Sequence, residues 1–337
     1  MRGVRPEKAG RPGGVYTQVW DGYSLAERDR RWSAVRAEAA RHGFDCILVP
    51  LGDGVNARYL TQFRASCVVL PTDGREPIAV TDRGSRNAWF PEPRLTTRQW
   101  AEPVAEALLD SGMERARIGV TGLRGGIFGH VRAREGVVSH SPFAYVQSRL
   151  PRASFEDATD VLGRVRYVKS GEEIACLRLA ASIAAAGLAE VRPDLNEPTL
   201  QARVLGRMLR LGSEYCPPEL SASGIEINAV WGTQIAQAVQ PFAEVPAQLR
   251  DAFDRGLEYL RPGCSFGGLV DALGDAVRLQ SLGAGDDGPL VTPSSPAAIR
   301  GLMIEPNTAF VWKPSLGGLS FGRPILITDK GVQQLIS

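Results

Sequence analysis

Apolar residues recur at helical spacing in two stretches of the chain, and both stretches open with the same signal. Ser24 stands three residues before Glu27, and Ser170 stands three residues before Glu173. A serine hydroxyl in this position can accept from an early helix amide while the glutamate reaches back to the serine N–H. The sequence therefore predicts helices that begin after each serine, the first ending near Gly43.

Short apolar runs predict buried strands between and beyond these helices. The first such runs lie at 46–50, 67–70, 77–80 and 117–120, with a predicted helix at 100–109 between the last two. Helices that alternate with apolar strands are typical of an α/β layer. Later patterns predict helices at 198–211, 247–260 and about 266–279, strands at 309–312 and 325–328, and a loop rich in Gly, Pro, Ser and Asp at 281–296.

Length and composition limit the classes of protein that fit this pattern. The chain has 337 residues, which favours two domains over one, and its net charge of +2 gives no electrostatic footprint for nucleic acid or an anionic membrane. No apolar run is as long as a membrane span. Five cysteines without C-x-x-C spacing predict reduced thiols in a cytoplasm, so we expect a cytoplasmic enzyme or binding protein.

Three sequence motifs follow one another along the chain. Residues 56–63 read N-A-R-Y-L-T-Q-F, residues 166–174 carry R-x-x-K-S followed by E-I, and residues 261–263 read R-P-G. Their order and spacing resemble those of the creatinase, prolidase and aminopeptidase P family, whose fold is known as pita-bread. The resemblance extends over nearly the whole chain from residue 24.

The resemblance implies a fold class and a domain organisation. We expect an α/β (α+β) protein with a flexible N-terminal arm at 1–22, a creatinase-like N-terminal α/β domain at 23–155 and a shortened pita-bread domain at 156–337. Two-domain members of the family pair as homodimers, so the resemblance also implies a second copy of this chain as a partner.

The family's chemistry depends on two Asp, one His and two Glu around a pair of divalent metals, and this sequence departs from that set. The interval 225–240 after the Ser223-Gly224 turn contains no Asp, so we expect the aspartate hairpin to be deleted or severely shortened. The metal histidine would fall within 282–296, which contains no His. The glutamate positions match Lys313 and Gly322, with Glu305 as an alternative if the register shifts. These departures from the family's ligand set lead us to expect no metal, no cofactor and no working metallopeptidase.

Three residues are candidates for catalysis at the former metal site. Lys313 is expected to point from a strand into the pocket, where its ammonium could bind an anion or act as an acid or base; a surface or ion-paired lysine is the alternative. Glu219 and Glu226 flank the strand on the pocket side, and either could be a general base or a structural charge.

Four more residues are candidates for substrate binding. Trp231 matches the position of a catalytic histidine and could line a pocket for a flat ligand, although a core tryptophan fits equally well. Arg323 follows Gly322, which matches a ligand position. The predicted substrate-binding set is Trp231, Arg323, Gln234 and Tyr215.

Three functions fit these observations. The first is a metal-independent enzyme acting on a small polar molecule as a hydrolase, lyase or cyclase. The second is a non-catalytic protein that binds a ligand or another protein. The third, a metallopeptidase with relocated ligands, is disfavoured because His42, His130 and His140 all lie in the first domain. A homodimer would let a histidine of the first domain enter the pocket of the partner. The chain has no basic or acidic tail, which favours the enzyme.

Overall fold

The structure is a computed structural model that describes residues 21–63, 66–82, 86–96, 99–131, 135–283 and 287–336. Nearly all of the arm predicted at 1–22 lies outside these ranges. The helices are α1 Leu25–Arg41, α2 Gly54–Thr61, α3 Ala101–Asp110, α4 His140–Arg149, α5 Thr159–Tyr167, α6 Gly171–Leu188, α7 Glu197–Arg210, α8 Ala247–Tyr259, α9 Phe266–Leu273 and α10 Ala297–Arg300. The strands are β1 Cys46–Val49, β2 Ser66–Pro71, β3 Ile78–Asp82, β4 Arg94–Thr96, β5 Arg117–Val120, β6 Ser154–Asp157, β7 Glu219–Ser221, β8 Gly224–Trp231, β9 Gln234–Pro241, β10 Leu279–Ser281, β11 Leu290–Val291, β12 Ala309–Trp312, β13 Ser315–Leu316, β14 Leu319–Ser320, β15 Arg323–Thr328 and β16 Gly331–Gln334.

The first half of the chain forms a six-stranded mixed sheet between two layers of helices. The strand order is β4-β3-β2-β1-β5-β6, with β1 antiparallel to β2 and parallel to β5. Alternate side chains of β1 enter different cores: Ile47 packs with Trp32 of α1, and Leu48 packs with Leu108 of α3. The α/β organisation predicted for this half is confirmed.

The second half contains three further sheets: a two-stranded sheet of β13 and β14, and two larger sheets that meet at a backbone bridge. One has the order β11-β10-β12-β15-β16, and the other has the order β7-β8-β9. A bridge between Val239 and Gly322 joins β9 to the start of β15. Helix α6 packs on the β8–β9 hairpin, whereas Phe253 of α8 and Leu269 of α9 pack against Trp312 and its neighbours.

The two predicted capping boxes differ in the structure. At Ser170 both halves are present, because its hydroxyl accepts from the amide of Glu173 and its amide donates to the Glu173 carboxylate. At Ser24 only the hydroxyl half forms, and its backbone amide donates instead to Glu172 at 3.0 Å. Helix α1 is thereby tied to the start of α6, which links the two halves of the chain.

Two predictions for the second half were wrong. The helix predicted at 266–279 ends at Leu273, where Gly274 has φ +58°, and residues 279–281 instead form β10, which pairs with β12. The interval expected to have lost its hairpin contains one. Strands β8 and β9 pair along their whole length, from Gly224 opposite Pro241 to Trp231 opposite Gln234. The hairpin is therefore present, and the interval lacks Asp because other residues stand at those positions.

Candidate functional site

One face of the β8–β9 hairpin is polar, and the other is buried beneath α6. Ile227 and Ala238 belong to the core on the α6 side. Asn228 is the direct cross-strand partner of Gln237 on the other face. The amide nitrogen of Gln237 donates to Glu226 Oε1 at 2.6 Å and to Asn228 Oδ1 at 2.9 Å. Strand alternation therefore brings three hydrogen-bonding side chains together on one face.

Lys313 completes this group from the end of β12. Its side chain is 6% exposed, and its Nζ lies 2.6 Å from Gln237 Oε1 and 3.3 Å from Glu226 Oε2. The side chain of Glu226 is 23% exposed. The ammonium is therefore at the bottom of the group, and the carboxylate is the charged member that solvent can reach.

Gly322 leaves the space that Lys313 fills. A Cβ atom at Gly322 would lie 2.6 Å from the Cβ of Lys313 and 3.1 Å from its Cα, closer than real Cβ atoms approach one another. The two positions that match the family's glutamates are therefore adjacent in space. One holds a lysine, and the other has no side chain.

Glu219 lies beside this group on the neighbouring strand. It is the direct cross-strand partner of Glu226 in the β7–β8 pair, so the two side chains share a face of the sheet. We call these residues the polar cluster: Glu219, Glu226, Asn228, Gln237 and Lys313. The structure thus brings the three predicted catalytic residues together. Sequence reasoning missed Asn228 and Gln237, although Asn228 follows Glu226 at the two-residue spacing of a strand face.

The structure does not bring the predicted substrate-binding residues to the polar cluster. Trp231 and Gln234 face α6: the indole is in the core, and the Gln234 amide lies 3.5 Å from Glu173 Oε1. Tyr215 is 73% exposed in the segment before β7. The guanidinium of Arg323 donates to the carbonyl of Val239 and lines a separate cavity. Their predicted roles in substrate binding remain predictions.

Other candidates also lie apart from the cluster. Glu305, the alternative to Lys313, forms an ion pair with Arg164 at 2.6 Å. His42 lies 3.6 Å from Glu38 on α1, His130 forms a backbone bridge with Asp287, and His140 begins α4.

The polar cluster does not fit a pair of divalent metals. Such a pair needs several carboxylate or imidazole ligands, and two of the five cluster members are neutral amides and one is a cation. The buried Lys313 ammonium already lies between Glu226 and Gln237, where it would repel a metal ion. Among the residues that the structure describes, no group of three or more His, Cys, Asp or Glu side chains could hold a metal ion.

The whole fold matches solved structures of proline-specific peptidases. A recombinant prolidase from Thermococcus sibiricus superposes with a TM-score of 0.70 at 14% identity, over 92% of this chain and 97% of the prolidase. The chain has the pita-bread fold. The N-terminal domain of the FACT complex subunit SPT16 from chickpea matches this pita-bread chain with a TM-score of 0.68 at 10% identity, over 93% of this chain and 97% of that domain. The fold predicted from the sequence motifs is therefore confirmed.

Sequence comparison matches part of the chain to a curated protein. The chain is 28% identical over 202 residues to an uncharacterized hydrolase/peptidase, y4tL, from Sinorhizobium fredii. The match covers 56% of this chain and 51% of that protein, so the chain spans about half the length of its curated relative. No family model matches the sequence. In the described ranges, no helix has the length and apolar character needed to cross a membrane.

Proposed function

We propose that the protein is a metal-independent hydrolase that acts on a small polar molecule at the polar cluster. The observation that carries this proposal is the buried ion pair in which Lys313 lies beneath the solvent-facing carboxylate of Glu226. A cation supplied by the chain itself stands where the resemblance implies metal ligands. The relative described as a hydrolase/peptidase favours hydrolysis over a lyase or cyclase reaction.

Glu226 is the proposed general base. The Lys313 ammonium lies 3.3 Å from its Oε2, and the Gln237 amide donates to its Oε1, so both carboxylate oxygens are held in place. The carboxylate removes a proton from a water molecule as the water oxygen bonds to the substrate carbonyl carbon. It then returns that proton to the leaving group as the bond to that group breaks. Positioned proton transfer of this kind contributes roughly 10²–10⁴-fold to a rate.

Glu219 and Asn228 are the proposed substrate contacts. Glu219 is exposed next to Glu226, and Asn228 is half-buried on the same face. A carboxylate and an amide at the edge of the cluster can bind the amino, hydroxyl or amide groups of a polar substrate. Short peptides present the same groups, so a peptide substrate fits the proposed contacts as well as a smaller amide does.

Non-catalytic binding is the second candidate, and one observation favours it. The cluster members satisfy one another, since Gln237 bonds Glu226, Asn228 and Lys313 at the same time. A connected hydrogen-bond network of this kind would also form a rigid surface that binds a ligand without reacting with it.

A substrate panel tests the two candidates together. Short peptides, including X-Pro dipeptides, and N-acyl and ureido acids are incubated with the protein in EDTA and, separately, in Mn²⁺. The proposal expects hydrolysis of at least one compound in EDTA, lost in Glu226→Gln and retained in the exposed control Glu244→Gln. Saturable binding without turnover would support the second candidate. Hydrolysis that requires Mn²⁺ would contradict the proposal.

A further inference from the structure

A cavity lies on the face of the β8–β9 hairpin opposite the polar cluster. Its volume is about 530 Å³, and it is bounded by α6, by the end of β9 and by the segment after β16. Five of the side chains that line it are apolar and three are polar. They are Ala185, Leu188, Ala189, Leu335 and Ile336, together with Ser182, Gln240 and Arg323.

Arg323 is the charged group of this cavity, and its hydrogen bonds all reach neutral acceptors. Its Nη1 donates to the carbonyls of Val239 and Gly322, both at 3.0 Å, and its Nη2 donates to Gln240 Oε1 at 2.9 Å. Its Nε is buried and has no hydrogen-bond partner among the described residues. The guanidinium also stacks over Phe321, with Cζ 4.3 Å from the ring centroid. The cation is thus held firmly in one place.

No carboxylate of the described residues pairs with this cation. Burial lowers the pKa of Arg323 to about 10, and no neighbouring charge opposes that effect. Glu190 follows the wall residue Ala189 in sequence, but its carboxylate forms an ion pair with Arg203 at 2.7 Å. A partly buried guanidinium that no carboxylate of the described residues neutralises is costly, and an anion that entered the cavity would offset that cost.

From this arrangement we propose that the cavity binds a small carboxylic acid with an apolar tail, its carboxylate on Arg323 and its tail along α6. A single guanidinium carries one positive charge, which one carboxylate neutralises. A phosphate dianion would need further donors, and the walls beyond Gln240 and Ser182 are apolar. The tail would lie against Leu188, Leu335 and Ile336.

This site is independent of the proposed hydrolase function. It lies on the other side of the hairpin and shares no residue with the polar cluster. It is nevertheless next to that cluster along the chain, because Arg323 directly follows the Gly322 that packs against Lys313. Occupancy of the cavity can therefore be measured by itself, with no assay of turnover.

Titration calorimetry with sodium octanoate tests the proposal on the full chain. We expect saturable binding that weakens at least about tenfold in Arg323→Gln, a loss of about 1.4 kcal/mol. Arg178→Gln is the matched control, because Arg178 precedes Ser182 by one turn of α6 and donates to Gln333 outside the cavity wall. This control should bind octanoate like the wild type.

A second variant and a second ligand test the proposal independently of Arg323→Gln. Ala189→Phe retains Arg323 but fills the cavity from an exposed wall position, so it should abolish binding even if Arg323→Gln does not fold. Octanol lacks the carboxylate and should bind at least about tenfold more weakly than octanoate. The absence of saturable binding, equal binding of octanol, or unchanged binding in Ala189→Phe would each overturn the proposal.

Discussion

The Nζ atom of Lys313 lies 3.3 Å from the carboxylate of Glu226, and only the glutamate of this pair reaches solvent to a substantial degree. The arrangement separates two tasks. The buried lysine holds the position of its partner, and the glutamate is the member of the pair that a ligand can contact. We propose that this pair takes the place of metal ions in a pita-bread site.

Lys313→Met tests the lysine directly, because it keeps most of the aliphatic stem and removes the charge. We expect a folded protein that is less stable by about 1–3 kcal/mol, since Glu226 loses its partner but retains some hydration. Ligand affinity or turnover should fall at least about tenfold. Chemical denaturation and the substrate panel measure the two effects, with the exposed turn lysine in Lys330→Met as the control. Normal binding and turnover in Lys313→Met would contradict the assignment.

Gly322→Ala tests how closely the two matched positions pack. The new methyl group would meet Lys313 Cβ at 2.6 Å and the Trp312 carbonyl oxygen at 3.2 Å, so neighbouring backbone must shift. We expect a loss of about 1–3 kcal/mol in the free energy of unfolding. Gly171→Ala is the control, since a Cβ there meets nothing within 4 Å, and it should be close to neutral. Equal stability of the two variants would show that the strand register is different.

Lys169 should leave a signature in the pH dependence of stability. Burial lowers its pKa to about 8, despite the opposing charges of Glu173 and Asp287. An unfolded lysine titrates near about 10.4, so between these two pKa values the unfolded chain binds more protons and stability from this residue rises with pH. The free energy of unfolding of the wild type minus that of Lys169→Met should therefore increase over this window, by up to about 1.4 kcal/mol per pH unit.

The comparison with the variant is necessary because other groups titrate in the same range with the opposite sign. Burial raises the pKa of the Cys46 and Cys67 thiols to about 12, so their contribution to stability falls as pH rises above the ordinary thiol pKa. Subtracting the two curves removes that contribution. Urea denaturation of both proteins across this range gives the difference, and a flat or falling difference would refute the lysine assignment.

Local signals in the sequence predicted the start of helices better than the chemistry of the site. The box at Ser170 formed in full, although the Glu173 carboxylate also lies 3.2 Å from the Arg30 guanidinium. The box at Ser24 formed only in part, because the Glu27 carboxylate instead pairs with Arg30 at 2.8 Å and Arg31 at 2.7 Å.

The hairpin was missed for a different reason. Its expected signature was a pair of aspartates, and Asn228 and Gln237 make hydrogen bonds without carrying that signature. Cross-strand pairing depends on the backbone register and on the alternation of buried and more exposed side chains. This interval has both. Gln62 is a second position where the local structure forms without the family's usual residue. It adopts φ +64° where the family has glycine, and its side chain accepts from the Tyr23 amide at 2.7 Å.

Self-association remains a prediction from the sequence resemblance. We expect a homodimer in solution, in which the first domain of one copy covers the pocket of the other. Light scattering at micromolar concentration should give twice the chain mass of 36.3 kDa. A concentration-independent value of 36.3 kDa would exclude the dimer.

Metal analysis of protein purified without chelator and then dialysed against Mn²⁺ tests whether the polar cluster can hold a dinuclear metal centre. The polar cluster offers a buried ammonium and two amides where a dinuclear centre needs anionic ligands, so the account predicts fewer than about 0.1 equivalents of Mn, Co, Fe or Zn per chain. Lys313→Met should not restore binding, because Glu219 and Glu226 alone are too few ligands for two metal ions. About two equivalents of tightly bound metal in the wild type would contradict the account.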